Sequence, residues 1–306
     1  MDRREFLRRA TKTGLSAGVT AGIAASPLGR MTKMAEAAAK PKGKGIRKAV
    51  ILNMVQGGAS TTEKFKIARD CGWDGLEISP VTTPEQIEDI NKAVQASGIP
   101  VHSIIFGGWK APLSTADEKL AEQGIADLKA GLKGAKAVGA DGLLLVPAVG
   151  NKETRYVDAY KRSQKRIKSV LPLAKDLGVK INIEEVWNKF LLSPIEFARY
   201  VDEFKSPWVR AYFDVANVID FGWPEDWIRT LDDRIEKVHI KDFKRSDRSW
   251  PALGEGDADF PTVMKALRDI GFQGWFTCEL PGGDEAYLKE VARRVDRIIA
   301  GENPAA

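Results

Sequence analysis

Four side chains that could bind a metal ion each end a short apolar segment in the second half of the chain. They are Glu184, Asp214, His239 and Glu279. Three carboxylates and one imidazole form an oxygen-rich set, which suits Mn²⁺, Co²⁺ or Mg²⁺ better than structural zinc, because structural zinc sites prefer Cys and His. The sequence therefore predicts one bound divalent ion, with Mn²⁺ as the first choice.

These four residues need a scaffold that brings the ends of separate segments together. From Ile46 onward, short β-rich apolar runs alternate with longer amphipathic segments, which is typical of βα units in a parallel sheet. The predicted strands are Lys48–Met54, Gly75–Ile78, Pro100–Phe106, Gly142–Pro147, Lys180–Val186, Val209–Val215, Lys237–Asp242 and Gly274–Leu280. The predicted helices are Thr62–Asp70, Pro84–Ala96, Ala116–Ala137, Tyr156–Asp176, Pro194–Glu203, Glu225–Leu231, Pro261–Asp269 and Glu285–Ala300.

Eight βα units favour an α/β fold that closes into a single (β/α)8 TIM barrel. No Gly-x-Gly-x-x-Gly turn follows the first strand, so no dinucleotide site is predicted. Ser193 and Asp259 are expected to cap helices that begin with a proline. Left-handed glycines are expected after helices at Gly72, Gly98, Gly139, Gly178 and Gly271.

The active sites of such barrels form at the carboxyl ends of the strands, where the four candidate ligands would meet. Strand five ends in two adjacent glutamates, and alternation of side chains across a strand distinguishes them. Ile181 and Ile183 suit the side that faces the helices, which leaves Asn182 and Glu184 facing the interior. The pattern therefore favours Glu184 over Glu185 as the ligand.

The first 39 residues have the composition of a targeting segment, with a basic start, a mildly apolar stretch and small residues at the end. The run Arg3-Arg4-Glu5-Phe6-Leu7 resembles the twin-arginine export motif, which implies a periplasmic or otherwise exported protein. We expect cleavage between Ala35 and Lys40, a linker over residues 40–45 and the catalytic barrel over residues 46–306. The apolar stretch is too weakly hydrophobic for a stable membrane anchor, and a disordered basic arm is the alternative interpretation.

The formal charge of +5 argues against a nucleic-acid partner once its distribution is considered. Residues 1–39 carry a net charge of +4, which leaves +1 for the rest. The barrel therefore lacks the basic excess that nucleic-acid binding requires. Cys71 and Cys278 are the only cysteines, and we interpret them as buried apolar residues, with a lone disulfide left open.

Several segments resemble the sugar phosphate isomerase/epimerase family, the xylose isomerase-like barrels that include tagatose/psicose 3-epimerases and hydroxypyruvate isomerases. The segments are IEEVWNKFLLSP, YFDVANV, VHIKDF, GEGDADFP and FTCEL. The resemblance covers essentially the whole chain after the leader, and it is strongest from about Lys180 to Leu280. It implies a sugar substrate and one divalent ion bound by the four strand-end residues, with Glu184 and Glu279 also moving protons.

The resemblance also points to substrate contacts. An arginine six positions after the metal-binding histidine often contacts substrate in the epimerases, and Arg245 stands there. Asn217 occupies the place of a substrate-contacting histidine, and Glu185 replaces a common asparagine. These two departures concern the identity of the substrate more than the metal.

Other candidate substrate contacts come from the strand ends and mouth loops, each with a purely structural alternative. His102 on strand three either reaches the pocket or is a hydrogen-bonded barrel histidine. Glu77 at the end of strand two either contacts substrate or forms a salt bridge at the rim. Stacking on a sugar ring or packing under loops is expected of Trp109, Trp187 and Trp250.

The sequence therefore predicts a metal-dependent sugar epimerase or aldose–ketose isomerase that works by proton transfer. A lyase acting on 3-keto-glycosides and a non-catalytic sugar-binding barrel are the alternatives, and the oligomeric state is open. A DNA-cleaving barrel of the endonuclease IV type is disfavoured, because its three-metal cluster is rich in histidine and this chain has only His102 and His239.

Overall fold

Eight parallel strands close into one barrel in the computed structural model, which describes residues 45–306. The strands are β1 (Arg47–Ile51), β2 (Gly75–Ile78), β3 (Val101–Gly107), β4 (Gly142–Leu145), β5 (Lys180–Glu184), β6 (Val209–Asp214), β7 (Ile235–Ile240) and β8 (Trp275–Cys278). They follow one another around the barrel in chain order, and β1 pairs with β8 to close it. The predicted barrel is confirmed, and the predicted leader lies outside the described residues.

An α-helix follows each strand within the described residues. The helices are α1 (Thr61–Asp70), α2 (Pro84–Ser97), α3 (Glu118–Ala137), α4 (Tyr156–Leu177), α5 (Pro194–Asp202), α6 (Pro224–Leu231), α7 (Phe260–Asp269) and α8 (Glu285–Ala300). No helix among residues 45–306 combines the length and apolar character needed to cross a membrane.

The strands present alternate residues to two different cores. Ile181, Ile183 and Phe213 are fully buried in the main core, which also contains residues of the surrounding helices. Leu144 and Tyr212 belong to a separate small cluster. This alternation confirms that the two isoleucines of β5 lie on the opposite side from Glu184.

Strand bounds differ from the prediction by one or two residues in most places and by three in β1. Leu52–Met54 forms a 3-10 turn instead of continuing β1, because the pairing with β2 ends at Ile51 and Glu77. An apolar run indicates that its residues are buried, but it does not distinguish a strand from a buried turn that follows the strand.

The helix ends follow the predicted local chemistry with one exception. All five predicted glycines have positive φ, including the α2 cap Gly98 at 80° and the α4 cap Gly178 at 68°. Asp259 caps α7 by accepting a hydrogen bond from the backbone N–H of Thr262. The cap predicted at Ser193 is wrong, because its side chain makes no capping bond even though Pro194 begins α5. Cys71 and Cys278 are both buried and free.

Candidate metal centre

The four candidate ligands meet at the mouth of the barrel. Glu184 is the last residue of β5, Asp214 is the last of β6, His239 lies one residue before the end of β7, and Glu279 directly follows β8. One ligand atom from each lies within 4.8 Å of the others, and all except Glu279 belong to buried residues. This cluster could hold a metal ion.

Two carboxylates fix the orientation of the His239 ring. Its Nε2 lies 2.7 Å from Oε2 of Glu77, and its Nδ1 lies 2.9 Å from Oε1 of Glu184. Nδ1 is also 3.6 Å from Oε2 of Glu279 and 4.0 Å from Oδ2 of Asp214. Nδ1 therefore faces the cluster, while Nε2 is held from behind in the way that metal-binding histidines usually are.

Asp214 presents one carboxylate oxygen to the backbone and the other to the cluster. Its Oδ1 accepts hydrogen bonds from the backbone N–H groups of Ala216 at 2.8 Å and Asn217 at 2.9 Å. Its Oδ2 is buried without a hydrogen-bond partner, although the Lys241 ammonium lies 3.1 Å away. A buried carboxylate oxygen in this state fits a bound cation, since buried polar atoms are normally satisfied.

Lys241 is part of this centre, and the sequence analysis missed it. Its Nζ lies 2.6 Å from Oε2 of Glu279 as well as beside Asp214. Burial opposes its charge, but the carboxylates around it raise the pKa of the ammonium. Lys241 follows His239 by two positions, and residues two apart in a strand point to the same side. This spacing could have indicated that Lys241 lies near the candidate ligands.

The two glutamates of the cluster differ in their electrostatic surroundings. Burial raises the pKa of Glu184 to about 7, against a smaller opposing effect of His239. Burial also acts on Glu279, but His239 and Lys241 together outweigh it and lower the pKa of that carboxyl. Burial raises the pKa of Asp214 above its ordinary value. One glutamate is thus poised to carry a proton near neutrality and the other to be ionised.

Glu185 and Asn217 lie behind the cluster. Glu185 Oε1 accepts a hydrogen bond from the backbone N–H of Asp214 at 2.9 Å, and burial raises its pKa well above the ordinary value. The Asn217 side-chain amide donates to the Glu185 carbonyl at 2.8 Å. The structure thus places Glu184 in the cluster and uses Glu185 to support the backbone of Asp214.

His102 and Arg245 are not brought to the four ligands. His102 is buried in the barrel, where its Nε2 lies 3.0 Å from Thr277 Oγ1 and its ring stacks on Trp275. Burial lowers its pKa well below the ordinary value. The Arg245 guanidinium donates to the backbone carbonyls of Ile219 and Gly222, each at 2.8 Å. In this structure the Arg245 guanidinium is therefore bound to a neighbouring loop.

Two of the three candidate tryptophans stand together at the mouth. Trp187 follows β5 and Trp250 lies in the loop after β7, with ring centroids 5.1 Å apart. The Lys241 ammonium is 5.2 Å from the Trp250 ring centroid, which places this ring next to the cluster of candidate ligands. Trp109 lies in the loop after β3 and is exposed.

Known proteins share both the sequence pattern and the fold. Residues 65–298 match the family model described as Xylose isomerase-like TIM barrel. The L-ribulose-5-phosphate 3-epimerase of Escherichia coli strain K12 is 23% identical over 236 residues, which cover 71% of this chain and 81% of that protein.

Solved structures with similar folds include two sugar epimerases. The 3-keto-D-glucoside 4-epimerase from E. coli superposes with a TM-score of 0.70 at 18% identity, covering 81% of this chain and 97% of that one. The D-allulose 3-epimerase from Methylomonas sp., in complex with D-allulose, gives a TM-score of 0.66 at 20% identity, with 78% and 85% covered. At these identities the likeness concerns the fold.

Proposed function

The chain belongs to the xylose isomerase-like TIM barrel family, and we propose that it is a divalent-metal-dependent sugar epimerase or aldose–ketose isomerase. The observation that carries the proposal is the meeting of Glu184, Asp214, His239 and Glu279 within 4.8 Å at the barrel mouth. The epimerase relatives support the same class of reaction.

The four side chains suit a divalent ion in their chemistry. Three carboxylates and one imidazole nitrogen are the donors that Mn²⁺, Co²⁺ and Mg²⁺ accept, and the contact between Nε2 and Glu77 directs Nδ1 of His239 at the other three ligands. The bound ion would polarise a carbonyl and a neighbouring hydroxyl of the sugar, and so acidify the C–H between them.

Proton transfer falls to the two glutamates. We assign removal of the proton to Glu279, whose lowered pKa leaves it as a carboxylate that can accept the proton. Glu184, whose pKa of about 7 lets it carry a proton near neutral pH, then delivers a proton to the opposite face of the same carbon, which gives the epimer. Delivery to the adjacent carbon instead would convert a ketose to an aldose.

Lys241 positions Glu279 for this task. Its ammonium lies 2.6 Å from Oε2 of Glu279, and its charge offsets the repulsion between that carboxylate and Asp214. A fixed positive charge at this place would also stabilise the negative charge that develops on the sugar oxygens.

A lyase reaction on a 3-keto-glycoside is the second candidate, and the aromatic rings of Trp187 and Trp250 beside the cluster favour it. The same proton would be removed next to the carbonyl. The bond from the adjacent carbon to the glycosidic oxygen would then break, and the departing oxygen would gain a proton.

A solvent-exchange screen tests the proposal and separates the two reactions. The Mn²⁺-loaded protein would be incubated in D₂O with unphosphorylated ketoses, L-ribulose 5-phosphate and 3-keto-glycosides, and the products followed by NMR. Deuterium at the carbon between the oxygens, with an epimer or an aldose formed, supports the isomerase. A released aglycone supports the lyase. Metal binding without exchange on any sugar favours the non-catalytic barrel.

A further inference from the structure

An ordered aromatic surface borders the metal cluster. It consists of Trp187 and Trp250 at the mouth with Phe243 beneath them, and we call it the aromatic platform. The ring centroid of Phe243 lies 5.0 Å from the ring centroid of each tryptophan. Phe243 is 0% exposed, whereas Trp187 and Trp250 are 41% and 44% exposed. Two partly exposed indole rings therefore stand on a buried aromatic base.

The platform is fixed to the centre by hydrogen bonds. The Trp187 Nε1 donates to the carbonyl of Asn217 at 2.9 Å, and the backbone N–H of Asn217 donates to Asp214. On the other side, the Lys241 ammonium lies between Glu279 at 2.6 Å and the Trp250 ring centroid at 5.2 Å. A molecule bound at the cluster would therefore meet the platform at its edge.

The loop that carries Trp250 is held in place by hydrogen bonds within the chain. The buried Asp242 carboxylate accepts backbone hydrogen bonds from Phe243, Gly254, Gly256 and Ala258, each between 2.9 and 3.1 Å. These bonds tie both ends of the loop to the end of β7. A side chain exposed on a loop fixed in this way is preorganised for binding.

The charges around the platform favour an uncharged ligand. The Arg248 guanidinium lies 5.0 Å from the Trp187 ring centroid, and it is paired with Asp220 at 2.8 Å. Arg245, the other arginine of this loop, is bonded to backbone carbonyls. Both arginines are thus already engaged with groups of the chain, whereas aromatic faces stack well on the apolar face of a sugar ring or on an aryl ring.

We infer that the aromatic platform is a subsite for a second ring, joined by a glycosidic bond to the sugar that reacts at the metal cluster. The substrate is thus a glycoside or disaccharide derivative instead of a single sugar or a sugar phosphate. This inference builds on the proposed function by extending its substrate, and it is tested by binding alone.

Equilibrium binding to the Mn²⁺-loaded protein tests the subsite. The probes are methyl β-D-glucoside, phenyl β-D-glucoside and cellobiose, which lack the carbonyl needed for reaction. We expect at least one of the two-ring probes to bind about tenfold more tightly than the methyl glucoside. The phenyl and cellobiose arms distinguish an aryl ring from a second sugar.

Variants at the platform complete the test. Trp250→Ala should abolish the advantage of the second ring and leave binding of the methyl glucoside unchanged, while Trp250→Phe should retain most of it. Trp109→Ala is the matched control, because Trp109 is 54% exposed but lies in the loop after β3. Three outcomes would overturn the inference. The first two are that the wild-type protein binds none of the three probes, or binds one-ring and two-ring probes with equal affinity. The third is that Trp250→Ala lowers the affinity for all three probes equally. A negative exchange screen together with this binding pattern would refute only the proposed reaction.

Discussion

The Nε2 atom of His239 lies 2.7 Å from the Oε2 atom of Glu77, across the barrel interior from β7 to β2. Glu77 is fully buried, and its role in the structure is to hold a candidate metal ligand. This contact leaves only Nδ1 directed at the other three ligands. Glu77 thus supports the centre from the opposite side of the barrel.

Substitution of Glu77 should therefore weaken metal binding without removing a ligand. Glu77→Gln keeps an acceptor for Nε2 but loses the charge, and we expect Mn²⁺ affinity to fall about tenfold, with a larger loss in Glu77→Leu. Titration calorimetry measures the affinity, and circular dichroism checks the fold. Unchanged affinity in both variants would contradict this role.

Metal binding should depend on pH through Glu184. Burial raises its pKa to about 7, so its carboxylate must lose a proton before it can bind an ion at lower pH. Burial opposes the charge of His239, but the carboxylates of Glu77 and Glu184 raise its pKa well above the ordinary value, so this ligand must also lose a proton. We expect Mn²⁺ affinity to fall by about tenfold or more per unit as pH drops below about 7. Calorimetry in buffers of different ionisation enthalpy would count the released protons.

Glu185→Gln is the matched control for this pH dependence. Glu185 is adjacent in sequence and also buried, and burial raises its pKa well above the ordinary value, but its side chain lies outside the cluster and accepts a bond from the Asp214 backbone. A glutamine preserves that bond, so the affinity and its pH dependence should persist. A flat pH profile in Glu185→Gln would assign the proton to Glu185 instead.

Removal of the Lys241 charge should alter the pH profile of turnover. Lys241 and His239 together lower the pKa of Glu279, so Lys241→Met should raise that pKa and move the acidic limb of kcat to higher pH. We expect kcat near neutral pH to fall about 10²-fold. Lys244→Met, an exposed change three residues on, should leave the profile unchanged. A loss of activity with the same pH profile would indicate a merely structural role.

Export by the twin-arginine route remains a prediction, since residues 1–39 lie outside the described part of the chain. Replacing Arg3 and Arg4 together with lysine should cause the full-length precursor to accumulate in the cytoplasm of a host that has this route. Fractionation and immunoblotting would detect it. Replacing Arg8 and Arg9 instead should leave export intact, and undiminished export of the first variant would contradict the assignment.

The sequence predicted the barrel and its four candidate ligands because both depend on local signals. The alternation of strand and helix patterns predicted the fold, and side-chain parity separated Glu184 from Glu185. The four residues end consecutive strands, so barrel closure alone brings them together.

The remaining features depend on how distant parts of the barrel meet. The bond from Glu77 to His239 joins β2 to β7, and it requires the relative stagger of strands that are far apart in sequence. Arg245 has the spacing of a substrate contact, but the direction of its guanidinium is set by the neighbouring loop. A single sequence contains little information about loop conformations of this kind.

Deuterium exchange by the Mn²⁺-loaded protein tests the central claim most directly. A responsive sugar in D₂O should gain deuterium at the carbon between its oxygens. At saturating Mn²⁺, Glu184→Gln and Glu279→Gln should each slow this exchange about 10³-fold, while Glu185→Gln should retain it. Exchange at the wild-type rate in either of the first two variants would contradict their assignment as the groups that move the proton.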